Sequence, residues 1–260
     1  MISDPEVTVI EDAAQAMGGE WQGEKLGTLG DVSFFSLGRG KAFSTVEGGI
    51  ILSDSDELAA NLKLQISKIQ DYTHLEVFKL FLYVVVLNIL LHPTRFWIPK
   101  SLPFLKLGET IFDPDFKIKR MSSFQAGLAK NWIEKLHAFR QVRQKNTKGL
   151  LSVLDIGDFK IFVERQVNVP DLIRFPVKMQ DEGARIKLLD IANQRGLGAA
   201  IAYPNAINGI TELASSFTDE EYPRAEKQSK LLVTLPVHLF CKENDQKSLV
   251  SVLKITFSSS

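Results

Sequence analysis

Hydrophobic and polar positions alternate along this chain in two distinct rhythms, separated by a helical middle. Val7-Thr8-Val9-Ile10 is β-branched and continuous, and it stops at the acidic pair Glu11-Asp12, which predicts a buried strand. Gly23, Gly27 and Gly30 punctuate the connection to a second predicted strand, Asp31 to Ser36. Gly38-Arg39-Gly40-Lys41 then makes a tight turn, and Gly48 to Leu52 reads as a third strand. Ser53 or Ser55 can cap the helix that follows, with Glu57 in its first turn and Leu58 and Leu62 on one face. Short strands joined by glycine turns predict a piece of an α/β sheet rather than a helical bundle.

The middle is helical. From Ser122 to Leu136, Phe124, Leu128, Trp132 and Ile133 recur at helical spacing, and the pattern runs on to Leu150, Leu151 and Leu154 before Gly157-Asp158 breaks it. A helix of this length commonly links two domains or lies along a dimer interface. The last third has its own α/β rhythm. Ile173 to Val177 is a strand candidate that Pro176 should confine to a sheet edge or bulge. A helix from about Asp181 to Arg195 ends at Gly196, and strand-like segments follow at Leu197 to Tyr203 and Leu231 to Leu235. Asp245 to Leu253 reads as a closing helix. The boundary falls near residues 155 to 170, dividing a region 1–155 from a smaller α/β region 156–260.

One run interrupts this order. Val77 to Leu91 reads VFKLFLYVVVLNILL, broken only by Lys79 and Asn88, within an apolar insert of about residues 77–105. A bilayer span needs about 20 apolar residues, and His92-Pro93 ends the run too early. The flank TRFWIPKSLPFL puts Arg95, Trp97 and Lys100 close together, which suits peripheral membrane contact through 77–100. The other readings are a buried core helix or a dimer-contact helix.

Composition narrows the function classes. Lys+Arg and Asp+Glu both total 31 among 260 residues, so the balance gives no sign of a nucleic-acid footprint. The single cysteine, Cys241, can form no intramolecular disulfide and no thiolate metal site, which points to a reducing, cytoplasmic compartment. Met1 to Pro5 lacks the basic and apolar regions of a signal peptide. His74, His92, His137 and His238 are scattered without metal-ligand spacing. Neither a G-x-S-x-G elbow nor a G-x-x-x-x-G-K-[ST] loop occurs.

Four residues in the first 41 carry the chemistry: Asp12, Gln15, Ser36 and Lys41. Asp12 and Gln15 follow one predicted strand, Ser36 closes the next, and Lys41 lies on the turn beyond. Ligands of open α/β sheets bind past the strand carboxyl ends. A carboxylate, an amide, a hydroxyl and an amine gathered there suit pyridoxal phosphate, which needs a lysine amine, an acidic partner for its ring nitrogen and donors for its phosphate. On residue types alone the bland reading stands beside this one: a solvated turn lysine, an aspartate capping a helix from Ala13, and an ordinary strand-end serine.

Order and spacing go further. VIEDAAQAMGG from Val9, and GTLGDVSFFSLGRGKAFSTVEGGIILSDSDELA from Gly27, resemble the centre of the DegT/DnrJ/StrS family of pyridoxal-phosphate sugar aminotransferases. That family reads as an EDAAQA strand end, a strand closing on FSF, a lysine five residues after its serine, and EGG. The same elements stand here at Asp12, Gln15, Ser36, Lys41 and Glu47-Gly48-Gly49. The resemblance resumes at RMSSFQAGLA from Arg120, at Tyr203-Pro204 and at LLVTLPVH from Leu231. It implies an aspartate-aminotransferase-like fold, with part of a large domain, a smaller C-terminal α/β domain, and a homodimer. Lys41 would form the Schiff base and carry a proton between carbon atoms, and Asp12 would keep the ring nitrogen protonated. Gln15 would contact the ring or its hydroxyl, and Ser36 the phosphate. The reaction would transfer an amino group from an amino acid, glutamate, to a nucleotide-linked keto sugar in cell-surface polysaccharide or related amino-sugar biosynthesis. Arg39 and Tyr203 are the candidate substrate contacts.

The sequence also departs from the family. Members carry a substantial segment before the EDAAQA strand, with a glycine/threonine turn for the phosphate and an aromatic that stacks on the ring, whereas eleven residues precede Asp12 here. The expectation is a truncated chain or a site that another polypeptide completes, with weak cofactor binding by this chain alone and an exposed sheet edge. Near Gly38 the family has an aromatic or histidine; here Arg39 either meets a substrate anion or lies exposed. Before the RMS motif the family has an asparagine that reaches the neighbouring subunit. Lys117-Ile118-Lys119-Arg120 stands there instead, so Lys119 or Arg120 either replaces that contact or is solvated. Two other functions compete: an inactive paralogue serving as a dimerisation or membrane-surface partner, and a related sugar dehydratase, against which the retained Lys41 argues.

Overall fold

The computed structural model describes residues 7–90, 112–154, 160–161, 171–217 and 221–257. By its contacts the chain divides into two units, Met1–Ser101 with Lys117–Gln141, and Leu102–Phe116 with Val142–Ser260. The division falls inside one helix. Residues 155–159 and 162–170, where the sequence reading sets its boundary, lie outside the described residues, as do His92, Pro93, Arg95, Trp97 and Lys100 of the apolar flank.

The first unit is built on β1 (Ile10–Asp12), β2 (Glu20–Trp21), β3 (Glu24–Lys25), β4 (Val32–Ser36) and β5 (Gly49–Leu52). β1 and β4 run parallel and β4 and β5 antiparallel, in the order β1-β4-β5, while β2 and β3 form a separate ribbon. The first strand departs from its prediction. It starts at Ile10 rather than Val7, and Ile10 is 65% exposed. The cause is its place: among the described residues β1 pairs with β4 alone. The Glu11 carboxylate holds the connection, accepting from the Gly27 and Leu29 N–H groups at 2.6 and 2.9 Å. Gly27 has φ +94°, and a Cβ there would lie 2.1 Å from Phe35 Cζ, so no other residue fits.

Helix α1 (Asp56–Lys68) begins as predicted, with Ser55 Oγ accepting from the Leu58 N–H at 3.2 Å. Helix α2 (His74–Leu90) comes from the apolar run, but it is not a core helix: Leu80 is its only buried residue. The single long helix expected from Ser122 is two helices, α3 (Ser123–Leu128) and α4 (Trp132–Val153). Asn131 adopts φ +56° between them, a conformation asparagine tolerates and one that ends a helix. The apolar stripe is therefore interrupted, and Ile133 is 61% exposed.

The second unit holds an antiparallel sheet of β6 (Lys160–Ile161), β7 (Arg174–Lys178), β9 (Leu232–Pro236) and β8 (Ala200–Ile201), in that spatial order. Against it lie α5 (Glu182–Gln194), α6 (Pro223–Leu231) and α7 (Glu243–Phe257). Leu150 and Leu154 from the α4 end of the chain join Phe175, Leu188, Leu235 and Leu249 in one fully buried cluster. Contrary to expectation, Pro176 lies in a central strand. Its missing N–H is tolerated because, among the described residues, β6 pairs only with Val177 and Lys178, leaving Pro176 opposite Thr234 of β9 alone. The strand expected from Leu197 to Tyr203 shrinks to Ala200–Ile201, since Gly198 at φ +71° precedes it and Pro204 follows. Asp181 caps α5, and Gly196 at φ +66° closes it, with the Leu197 N–H reaching the Ala192 carbonyl at 2.8 Å.

Candidate active site

The parallel register sets Asp12 opposite Phe34, so Asp12, Phe34 and Ser36 share one face of the sheet at the carboxyl ends of two adjacent strands. The opposite face carries Glu11, Ser33 and Phe35, the last two buried. No helix starts at Ala13. Instead Asp12 Oδ1 accepts from the Ala14 N–H at 2.9 Å, an Asx turn, and Gln15 sits exposed in the turns that follow. Among the described residues the second Asp12 oxygen has no hydrogen-bond partner.

Ser36 Oγ accepts from the Gly38 N–H at 3.2 Å, which leaves its own hydrogen to donate. Gly40 follows at φ +74°. Lys41 is half-buried, its backbone N–H turned to the Gly38 carbonyl at 3.4 Å, and its amine has no partner among the described residues. The loop from Leu37 to Gly48 is pinned from within. The Leu37 N–H reaches the Gly48 carbonyl at 2.9 Å, the Thr45 N–H reaches the Leu37 carbonyl at 3.0 Å, and Thr45 Oγ1 donates to the Glu47 carbonyl at 2.9 Å. Val46 is held at φ +78°, in the left-handed region that a β-branched residue resists.

Two sequence blocks noted separately meet here. Gln125 of α3, itself buried, donates from Nε2 to the Glu47 carbonyl at 3.0 Å. Its Oε1 in turn accepts from the Ser122 N–H at 3.0 Å, closing a capping box. Tyr72 donates to the Glu47 carboxylate at 2.6 Å, and burial together with that carboxylate pushes the phenol up to about 12. Gln125, Tyr72 and Val46 were missed by the sequence reading. The Ser122-x-x-Gln125 spacing was the one signal available for any of them.

Other candidates have different surroundings. Arg39 faces α2: its guanidinium donates to the Tyr83 hydroxyl and stands 5.2 Å from that ring's centre. Lys119 and Arg120 are both ion-paired within the first unit, Lys119 largely covered and Arg120 partly exposed. Lys119 pairs with Glu76 at 2.5 Å and lies 5.5 Å over the Tyr72 ring, while Arg120 Nε donates to Asp71 at 2.7 Å. Lys119 and the Thr73 donors hold the Glu76 carboxyl down at about 2. Tyr203 belongs to the second unit, exposed and two residues past β8. His238 lies two residues past β9, where its carbonyl accepts from Asn146 at 2.9 Å. No metal-holding group of His, Cys, Asp or Glu exists among the described residues, and no helix there is long and apolar enough to cross a membrane.

Comparison with known proteins gives a consistent pattern. The sequence model of the DegT/DnrJ/EryC1/StrS aminotransferase family matches residues 1–75 and 114–254. The GDP-perosamine synthase of Caulobacter vibrioides is 48% identical over 56 residues, 22% of this chain and 15% of that protein. The UDP-4-amino-4,6-dideoxy-N-acetyl-beta-L-altrosamine transaminase of Campylobacter jejuni is 40% identical over 58 residues, again 22% and 15%. Among solved structures, Helicobacter pylori PseC, an aminotransferase involved in the biosynthesis of pseudoaminic acid, superposes with a TM-score of 0.68 at 17% identity, covering 98% of this chain and 60% of that one. TlmJ from Streptoalloteichus hindustanus gives 0.68 at 18% identity, covering 97% and 59%. These likenesses establish the fold, and the chain spans about three fifths of the length of those structures.

Proposed function

Because the chain belongs to the DegT/DnrJ/EryC1/StrS aminotransferase family, we propose that its first unit holds pyridoxal phosphate and serves transfer of an amino group from an amino acid, glutamate, to a nucleotide-linked keto sugar. The observation that carries this reading is the donor set at the ends of β1 and β4. A carboxylate oxygen of Asp12 and the amine of Lys41 have no partner among the described residues, and the Ser36 hydroxyl retains a hydrogen to donate. That set fits the cofactor's three needs: an acid for the ring nitrogen, a donor for the phosphate and an amine for the aldehyde carbon.

In this reading Asp12 would keep a proton on the ring nitrogen, Gln15 would lie against the ring, and Ser36 would donate to the phosphate. Lys41 Nζ would attach the cofactor and is the amine we assign to accept and return a proton. When bound, the cofactor supplies an electron sink for the carbon that gains or loses the amino group. The two relatives named above, a perosamine synthase and an altrosamine transaminase, support a sugar as acceptor. We place the reaction in amino-sugar biosynthesis for surface polysaccharide, carried out by a homodimer.

The test is covalent. The chain is mixed with pyridoxal phosphate, reduced with borohydride, and the modified lysine is mapped. Label at Lys41, with loss of the visible absorption band in Lys41→Ala, is the expected result. A folded chain that takes no label at Lys41 overturns the assignment.

A further inference from the structure

The family match skips residues 76–113, and nearly all of α2 falls in that gap. The family's sequence pattern therefore does not extend over this helix, and its surroundings are unusual for an apolar helix. Its inner side is tied to the first unit: Leu80 is buried, Phe81 meets Phe124 edge-on at 6.1 Å, Tyr83 carries Arg39, and Glu76 is bound by Lys119. Its outer side is bare. Leu75 is 64% and Phe78 54% exposed, and Leu82, Val85 and Ile89 continue the same row.

Three occupants can cover such a face: a second copy, another protein's helix or a lipid surface. A paired helix needs a narrow seam, and the row from Leu75 to Ile89 does step by three and four residues. The exposed apolar arc is wider than that seam, however. Leaving out Phe81, which packs on Phe124, it runs from Val85 to Val86 and spans about 100° of the helix circumference, with Lys79 at its margin. Charge decides further. Glu76 faces inward on Lys119, so the outer face carries Lys79 and no carboxylate. In a chain whose charges balance, Val77 to Gly108 contains Lys79, Arg95, Lys100 and Lys106 and not one aspartate or glutamate. Two copies meeting on the outer face of α2 would offer Lys79 no carboxylate from the facing helix, whereas an anionic lipid surface supplies the opposite charge.

We infer that the outer face of α2 lies on a membrane surface containing anionic lipid, with its apolar row entering the boundary between headgroups and acyl chains. The helix lies along that surface rather than crossing it, since His92-Pro93 ends the apolar run short of the roughly 20 residues a span needs.

The experiment is co-sedimentation of the full chain with phosphatidylcholine vesicles made with and without phosphatidylglycerol. The wild-type chain pellets with the anionic vesicles and is progressively released by salt. Replacing Phe78 and Val85 together by aspartate weakens this binding about tenfold or more. Lys79→Gln, a surface change that leaves the core intact, weakens it about fivefold. Sedimentation velocity without lipid and thermal unfolding are run on each variant. A wild-type chain that ignores anionic vesicles, or a folded Phe78→Asp, Val85→Asp variant that binds them equally well, overturns the inference. So does a loss of self-association in that variant without any vesicle binding by the parent, which would make the face a contact between copies.

Discussion

Val46 holds a left-handed backbone at φ +78° without the freedom of glycine, in the loop that follows Lys41. Its neighbours supply the constraint: the Ser44 hydroxyl accepts from the Val46 N–H at 3.0 Å, and Gln125 fixes the Glu47 carbonyl. Val46→Gly should therefore stabilise the first unit by about 1 kcal/mol, seen as a rise in the urea midpoint. At the other end of the chain, burial and the nearby Asp245 carboxylate push the Cys241 thiol up to about 11. At pH 8 this thiol should resist iodoacetamide until denaturant is added, as mass spectrometry would show. That Asp12, Ser36 and Lys41 gather at strand ends could be read from short apolar runs closing on polar residues. The strain at Val46 could not, because it arises from partners seventy-nine residues away in the case of Gln125 and next door in the case of Ser44.

Two ionisable contacts anchor the start of α2, and their pH dependences have opposite signs. The Glu76 carboxyl is depressed from 4.5 to about 2, so its contribution is present above about pH 4.5 and is lost as pH falls toward 2. The Tyr72 phenol is raised from 10.0 to about 12, so its contribution is present below pH 10 and is lost as pH climbs through 12. The difference in urea midpoint between wild type and Glu76→Gln should stay constant from pH 5 to 9 and vanish toward pH 2. Equal midpoint differences at pH 2 and pH 7 would show that the Lys119 pair does not hold the helix. The apolar run announced α2 as a helix, but not that one side of it stays bare, since burial depends on what surrounds a helix as well as on its own residues. The stripe from Phe124 to Ile133 misled for a related reason. Periodicity survives across a break, and Asn131 could be recognised as the break only from its backbone.

The two units differ in how they are stabilised. The second has a contiguous cluster of fully buried side chains, including Phe175, Val177, Leu188, Val233 and Leu249. The first buries a smaller set, including Ala13, Leu37, Ala42 and Phe43, and adds loop hydrogen bonds such as those from Glu11 and within Leu37 to Gly48. Amide exchange should thus be slowest in β7 and β9 and faster in β1. The two α/β rhythms and the helical stretch between them were legible in the sequence, because periodicity and turn residues are local. The position of the division was not, because α4 continues through it: Gln141 counts with the first unit and Val142 with the second. Severing the chain at that point to prepare the second unit by itself would leave a first turn of unsatisfied N–H groups around the buried Arg143. A cut at Asn131, where the backbone already turns left-handed between two helices, would keep α4 whole and give the fragment a natural beginning.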